Sequence, residues 1–237
     1  MIFRQLFERN SSTYTYLLAS RAGGEALIID PVLEKTAELV ALIDELGLKL
    51  AIAVDTHTHA DHVTGLGALR EATGCITAMG EHSRADCVST RFRDGECLNL
   101  DGIELRSIYT PGHTDESFSL LVGRSDASGE GRVFTGDALL IRGTGRTDFQ
   151  NGDPYQAYDS IFNKLLRLPD ETLIYPAHDY KGRTVSTIAE ERAHNPRLQV
   201  RDADEYARLM NGLNLPPPLL MDVAVPANLR CGRIAEL

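Results

Sequence analysis

The sequence is short of basic residues and of long apolar segments, and each shortage excludes a class of protein. Lys and Arg number 24 against 34 Asp and Glu, so the formal net charge is -10 at pH 7. Proteins that bind nucleic acid need a basic face for the phosphates, and we therefore expect no nucleic-acid partner. No segment reaches the roughly 20 apolar residues that cross a bilayer. We expect neither a membrane partner nor a secretory signal.

Cysteine is also scarce, with four residues in 237 and no CxxC pair. This spacing gives no sign of a thiolate zinc site or of a redox dithiol motif. We expect all four thiols to be reduced in a bacterial cytoplasm, and a processed form in the mitochondrial matrix would give the same pattern. The four residues are Cys75, Cys87, Cys97 and Cys231.

A hydrophobic content of 43% is enough for one large buried core, and we expect a single domain over residues 1–237. Short apolar segments predict strands at 13–20, 26–29, 50–54, 75–79, 103–109, 118–122, 133–135 and 173–175. Helical spacing predicts helices at 33–46, 63–72, 155–168, 184–193 and 202–210. A short helical C-terminal region thus begins at about residue 184. Two groups of strands separated by helices favour an α/β fold, an αββα sandwich.

Seven potential metal ligands follow predicted strands or lie in turns rich in Gly and Pro. The first group is His57, His59, Asp61 and His62, and the second is His113, Asp137 and His178. Loops at strand ends can bring such side chains together at one edge of a sheet. Imidazole with carboxylate favours a first-row transition metal such as iron, zinc, copper or nickel. The other histidines, His82 and His194, lie outside this pattern, and we expect structural or surface roles for them.

The spacing of these seven residues resembles the metallo-β-lactamase superfamily over nearly the whole chain. Dinuclear hydrolases of that superfamily use all seven positions, and the position of Asp137 bridges their two metals. Because all seven are present here, the ligand types alone leave open a dinuclear zinc thioester hydrolase of the glyoxalase II type.

Three segments outside the ligands favour one family. Residues 141–150, 191–198 and 225–232 closely resemble the persulfide dioxygenase (sulfur dioxygenase) family. Glyoxalase II relatives usually carry a longer helical extension, whereas only about 60 residues follow His178 here. The resemblance implies oxidation of glutathione persulfide by O2 to sulfite and glutathione, as in sulfide detoxification. The alternatives are the thioester hydrolase and, from a different class, a non-catalytic persulfide sensor.

The resemblance also implies one Fe(II) per chain, held by His57, His113 and Asp137. Two histidines and one carboxylate on one face of an octahedron leave three positions open, enough for substrate sulfur and O2 together. A hydrolytic zinc site needs only one open position. The remaining groups would act around the ligands or hold a second metal: His59, Asp61, His62 and His178. Of these, Asp61 and His178 are the first candidates for orienting the ligands and for proton transfer.

Glutathione carries two carboxylates, which guanidinium groups can bind with two parallel hydrogen bonds. Arg142 and Arg146 follow Asp137 by five and nine residues and are candidates for this contact, with a structural role as the alternative. By resemblance, Tyr180 lies in the pocket as a catalytic or substrate-binding hydroxyl donor. Arg197 and Cys231 are weaker candidates. The resemblance further suggests a homodimer.

Overall fold

The computed structural model describes residues 1–123 and 131–233, which divide into two compact units. Unit 1 comprises Met1–Phe92, Asn99–Ile103 and Pro217–Leu237, and unit 2 comprises Arg93–Leu98 and Glu104–Pro216. The helical C-terminal region expected from residue 184 is therefore shared between the units. A single domain over residues 1–237 stays a prediction. Within the described ranges, no helix combines the length and the apolar character needed to cross a bilayer.

Unit 1 contains a mixed sheet of six strands in the order of the sequence. The strands are β1 (Ile2–Glu8), β2 (Thr13–Ala19), β3 (Glu25–Ile29), β4 (Lys49–Val54), β5 (Ile76–Gly80) and β6 (Thr90–Phe92). The first three pair antiparallel, and β3 to β6 pair parallel. Parallel neighbours need crossover connections, which helices supply here: α1 (Thr36–Glu45) joins β3 to β4, and α2 (Leu66–Thr73) joins β4 to β5.

The core of unit 1 forms where the apolar faces of these helices meet the sheet. Leu39 and Ile43 of α1 and Leu66 and Leu69 of α2 are buried in one cluster with side chains of the sheet. Every residue of β2 is buried, as expected of a strand that is covered on both faces. Full burial of one such aliphatic side chain contributes about 1.5–3 kcal/mol to stability. The same core contains Leu50 and Ala53 of β4, so it holds in place the strand that leads into the first group of predicted ligands.

The second sheet also has six strands, in the order β12-β11-β10-β9-β8-β7. They are β7 (Cys97–Leu100), β8 (Ile103–Tyr109), β9 (Phe118–Gly123), β10 (Arg132–Gly136), β11 (Leu173–Pro176) and β12 (Ser186–Thr187). Strands β8, β9 and β10 pair antiparallel, whereas β10 and β11 are parallel neighbours. The carboxyl ends of β10 and β11 therefore lie side by side, one residue before Asp137 and two residues before His178.

Two helices of unit 2 begin at aspartate side chains that cap their first turn. In α3 (Pro154–Tyr158), the Asp153 carboxylate accepts hydrogen bonds from the backbone amides of Tyr155 and Gln156, both at 2.8 Å. Helical backbone continues from there as a π-helical segment and a 3-10 turn to Arg167. Asp202 caps α5 (Ala203–Asn211) in the same way. The helices α3 and α5 bury apolar residues in the core of unit 2.

The predicted helix over 184–193 is wrong at its start. Ser186–Thr187 form β12 against β11, and α4 (Ile188–His194) begins only after Thr187, whose hydroxyl accepts from the Glu190 amide at 3.1 Å. Pairing with a distant strand overrides the local helical spacing here. The sequence predictions also lacked β1, β6 and β7, and within the expected helical C-terminal region they did not specify α6 (Met221–Asn228), which contains Pro226.

The expectation of four reduced thiols is wrong for two of them. Cys87 and Cys231, 144 positions apart in the sequence, form a disulfide within unit 1, with their Cα atoms 5.9 Å apart. Cys75 is a buried free thiol and Cys97 an exposed one. The pairing is a product of the tertiary fold, because α6 returns to the sheet of unit 1 from the far end of the chain.

Candidate metal centre

The first group of predicted ligands lies on one loop of unit 1, residues 55–65 after β4, which we call the ligand loop. The side chains of His57, His59 and His62 are almost fully buried, whereas the Asp61 side chain is 28% exposed. One potential ligand atom of each of His59, Asp61 and His62 lies within 4.8 Å of those of the other two. The structure thus brings this group together as the spacing predicts.

A buried carboxylate that sequence reasoning missed forms hydrogen bonds with the ligand loop. Asp30, directly after β3, accepts hydrogen bonds from the Thr56 amide at 2.7 Å and from Nε2 of His59 at 3.2 Å. Its backbone has a left-handed φ of 51°. Burial raises the pKa of Asp30 above its usual value, although nearby His57 and the bonds from Thr56 act in the opposite direction. This hydrogen bond to Asp30 fixes the orientation of the His59 ring.

His57 and His62 are each oriented through Nδ1. The Thr56 hydroxyl donates to Asp30 at 3.1 Å, so it accepts from Nδ1 of His57 at 3.0 Å. Nδ1 of His62 lies 3.1 Å from an Asp61 carboxylate oxygen and donates to it. A metal-binding histidine normally donates its second ring N–H to such an acceptor. These contacts therefore present Nε2 of His57 in the form that binds a metal ion.

The second group lies in unit 2, where Asp137 stands between two imidazoles. His178 donates from Nδ1 to one Asp137 oxygen at 2.7 Å, and Nε2 of His113 lies 3.6 Å from the other oxygen. His113 itself donates from Nδ1 to the backbone carbonyl of Arg146 at 2.7 Å. Because β10 and β11 are parallel neighbours, Asp137 and His178 come together at the carboxyl ends of these strands.

This donor set fits a transition-metal ion. Two donors about 2.1 Å from an octahedral ion and at right angles lie about 3 Å apart. The observed 3.6 Å between His113 and Asp137 is close to this value and leaves room for both to bind one ion. Imidazole nitrogen with carboxylate oxygen is the ligand combination of non-haem iron and zinc sites. The residues present therefore support a metal cofactor.

Gly145 is a further residue of this site that sequence reasoning did not single out. Its amide donates to the Asp137 carbonyl at 2.7 Å. A Cβ at this position would lie 2.2 Å from that carbonyl oxygen and 2.8 Å from the His113 ring. Only glycine allows the backbone to pass this close to both predicted ligands. The signal in the sequence is the pair of glycines in Arg142-Gly143-Thr144-Gly145.

The three arginines proposed for substrate binding all hold partners in their own unit. Arg142 pairs with Glu190 and Glu191, Arg146 forms two hydrogen bonds of 2.7 and 2.8 Å with Asp148, and Arg197 donates to the Thr144 carbonyl. Their predicted contacts with substrate carboxylates stay predictions. Tyr180 is 70% exposed, and its ring lies parallel to that of His178 with 6.2 Å between the centroids.

Comparison with known proteins places this fold and donor set in a class. The sequence profile described as "Metallo-beta-lactamase superfamily" matches residues 9–178, which is more than half of the chain. The protein is therefore of the metallo-β-lactamase class, and the predicted αββα fold is confirmed.

More similar proteins define the family within this class. "Persulfide dioxygenase ETHE1, mitochondrial" of Mus musculus and that of Homo sapiens are each 47% identical over 233 residues, which cover 98% of this chain and 89% of theirs. The crystal structure of ETHE1 from Myxococcus xanthus has a TM-score of 0.93 and 51% identity, covering 98% of this chain and 100% of that one. The chain belongs to the persulfide dioxygenase family, as its resemblance implied.

Proposed function

We propose that this protein is an iron-dependent persulfide dioxygenase that converts glutathione persulfide, O2 and water to glutathione and sulfite. The observation that carries the proposal is the 47% identity, over 98% of the chain, to proteins named persulfide dioxygenase. No contact of the site favours the thioester hydrolase or the sensor over this activity. The reaction is balanced: one persulfide, one O2 and one water give one thiol, one sulfite and two protons.

In this proposal, His57, His113 and Asp137 hold one Fe(II). The contacts that support it are those of Nδ1: His57 and His113 each commit this nitrogen to an oxygen acceptor, which leaves Nε2 for the metal. When bound, the iron would supply open positions for the persulfide sulfur and for O2, and a positive charge that favours the persulfide anion.

The chain's own groups would orient the ligands and carry protons. His178 fixes the Asp137 carboxylate through its Nδ1 proton, and Asp30 fixes the loop that carries His57. Nδ1 of His62 donates to the Asp61 carboxylate at 3.1 Å, so these two side chains hold one proton between them. We propose that this pair or His178 delivers the proton that the departing thiolate takes up. Tyr180, exposed beside His178, is the hydroxyl proposed to contact the thiol carrier.

Anaerobic purification followed by elemental analysis and O2 uptake tests this function. We expect one iron per chain, and consumption of one O2 for each sulfite formed on addition of glutathione persulfide. Two zinc ions per chain with cleavage of a glutathione thioester would establish the hydrolase instead. A sensor would bind the persulfide and consume no O2.

The proposed function is accompanied by a proposed oligomeric state and cellular compartment. We propose a homodimer, which light scattering on the purified protein would measure directly. We also propose the bacterial cytoplasm as its compartment, although the mammalian relatives are named mitochondrial. In a reducing compartment, disulfides are usually labile rather than permanent, which bears on the Cys87–Cys231 bond.

A further inference from the structure

One side chain from the C-terminal segment of unit 1 is bonded to the ligand loop at three points. Asn228 is only 3% exposed, and its amide nitrogen donates to the carbonyls of His59 and His62, both at 2.9 Å. Its side-chain oxygen accepts from the amide of Thr64 at 2.8 Å. These bonds span 166 and 169 positions of sequence to the two histidines.

We propose that Asn228 is a positioning residue for the metal centre, and that the Cys87–Cys231 disulfide holds it against the ligand loop. The inference deepens the proposed function, since it assumes a metal ion at the ligand loop. The three bonds of Asn228 are to backbone groups of the ligand loop and not to ligand side chains. Its effect passes through the backbone of this loop, which carries the proposed ligand His57 together with His59, Asp61 and His62.

The chemistry of asparagine explains why this residue type is needed. A buried backbone carbonyl without a hydrogen-bond donor is destabilising, so the two carbonyls need two N–H groups at one place. A side-chain amide supplies two N–H donors and one oxygen acceptor, which matches the two carbonyls and one amide that Asn228 meets. Aspartate has the same shape but no donor when ionised, so it would face both carbonyl oxygens with negative charge.

The rest of the C-terminal segment is fitted closely to the same loop. Ala224 and Ala227 of α6 form a small apolar cluster with Val63 of the ligand loop. The Cys231 carbonyl accepts from the Gly67 amide at 3.0 Å. A Cβ at Gly232 would lie 2.1 Å from the Thr64 carbonyl oxygen, so the segment leaves no room for a side chain there.

The disulfide closes this arrangement covalently. Cys231 follows Asn228 by three residues, and Cys87 lies between β5 and β6 of the same unit. The Cys87 carbonyl accepts from the guanidinium of Arg70 in α2, the helix that follows the ligand loop. Without the bond, non-covalent contacts alone would keep Asn228 in place, and the ligand loop would open more often.

The test measures how fast Fe(II) passes from the loaded protein to an excess of a coloured Fe(II) chelator under anaerobic conditions. We expect Asn228→Asp to release iron at least about tenfold faster than the wild type, because displacing the ligand loop also moves His57, and changes around the ligands typically alter metal affinity about 10–100-fold. Asn228→Ala, which adds no charge, should release it nearly as fast. Cys87→Ser, which removes the disulfide and leaves the Asn228 side chain itself unchanged, should accelerate release by about two- to fivefold.

A core variant separates positioning from general loss of stability. Ile43→Ala creates a cavity in α1 of the same unit without touching the ligand loop, and its release rate should stay within about twofold of the wild type. Release from Asn228→Asp within twofold of the wild type, or equally fast release from Ile43→Ala, would overturn the role of Asn228. An unchanged rate in Cys87→Ser would overturn the role of the disulfide.

The assay contains no persulfide, so its outcome is separate from the reaction. If the wild type holds iron but consumes no O2 with glutathione persulfide, the proposed activity fails while the release rates still decide the role of Asn228.

Discussion

The predicted ligands differ in how their side chains are held, and this difference can be tested one residue at a time. His57→Ala, His113→Ala and Asp137→Ala should each remove the iron, because each would delete a direct ligand. His59→Ala should keep most of it, since loss of an outer group typically costs about 10–100-fold in affinity rather than the site itself. Iron content after anaerobic loading measures this, and equal loss in all four variants would contradict the assigned set.

Gly145 offers a second test at the scale of one atom. In Gly145→Ala, the added methyl group would meet the Asp137 carbonyl at 2.2 Å and the His113 ring at 2.8 Å, so both must move. We expect iron content and O2 uptake to fall at least about tenfold. Gly143→Ala is the matched control, since its methyl would meet only the Leu140 Cβ at 3.8 Å. A normal iron content in Gly145→Ala would show that this close approach is not needed.

Among the elements, α4 is joined to the turn after β10 by one buried carboxylate. Glu191 accepts hydrogen bonds from the Arg142 amide at 2.8 Å, the Ser186 hydroxyl at 2.6 Å and the Asn195 side chain at 2.9 Å. It also pairs with the Arg142 guanidinium. The family-like segments 141–150 and 191–198 thus meet in one polar network. This network holds the turn after β10, and the Arg146 carbonyl in that turn accepts the hydrogen bond from Nδ1 of His113.

Glu191→Gln should therefore destabilise unit 2 strongly. The substitution removes the charge of a fully buried acceptor, and loss of such charge-assisted hydrogen bonds costs about 1.5–3 kcal/mol. Glu190→Gln removes the other carboxylate that contacts Arg142. The Glu190 side chain is 45% exposed, so this loss should cost no more than about 1 kcal/mol. Urea denaturation gives both free energies of unfolding. Similar decreases in the free energy of unfolding of the two variants would show that the Glu191 network does not stabilise unit 2 specifically.

At the scale of the whole molecule, the number of reactive cysteine thiols tests whether the protein has this fold and this disulfide. The native protein should show one rapidly reacting thiol, the exposed Cys97, because burial protects Cys75 and raises the pKa of its thiol. Denaturation without a reductant should expose two thiols, and reduction should then expose four, as the disulfide releases Cys87 and Cys231. Colorimetric thiol titration measures each step. Four thiols in the denatured, unreduced protein would show that no disulfide forms.

Most strands and helices followed from local pattern, and the failures have two causes. The strand before Asp137 was predicted because its signal lies within a few adjacent residues. The strand β12 was not, because Ser186 and Thr187 are extended only through pairing with β11. The helix α6 was missed because Pro226 argues locally against a helix.

The sequence by itself determined which residues can bind a metal and which family the chain resembles, because both depend on residue types at short, fixed spacing. The tertiary structure alone decided what surrounds those residues. Asp30 meets Thr56 across 26 positions, Asn228 meets the ligand loop across more than 160, and Cys87 meets Cys231 across 144. Periodicity along the chain describes each segment's own faces. It does not specify which distant segment will supply a hydrogen bond or a sulfur atom, since that is set by how the folded strands and helices come together.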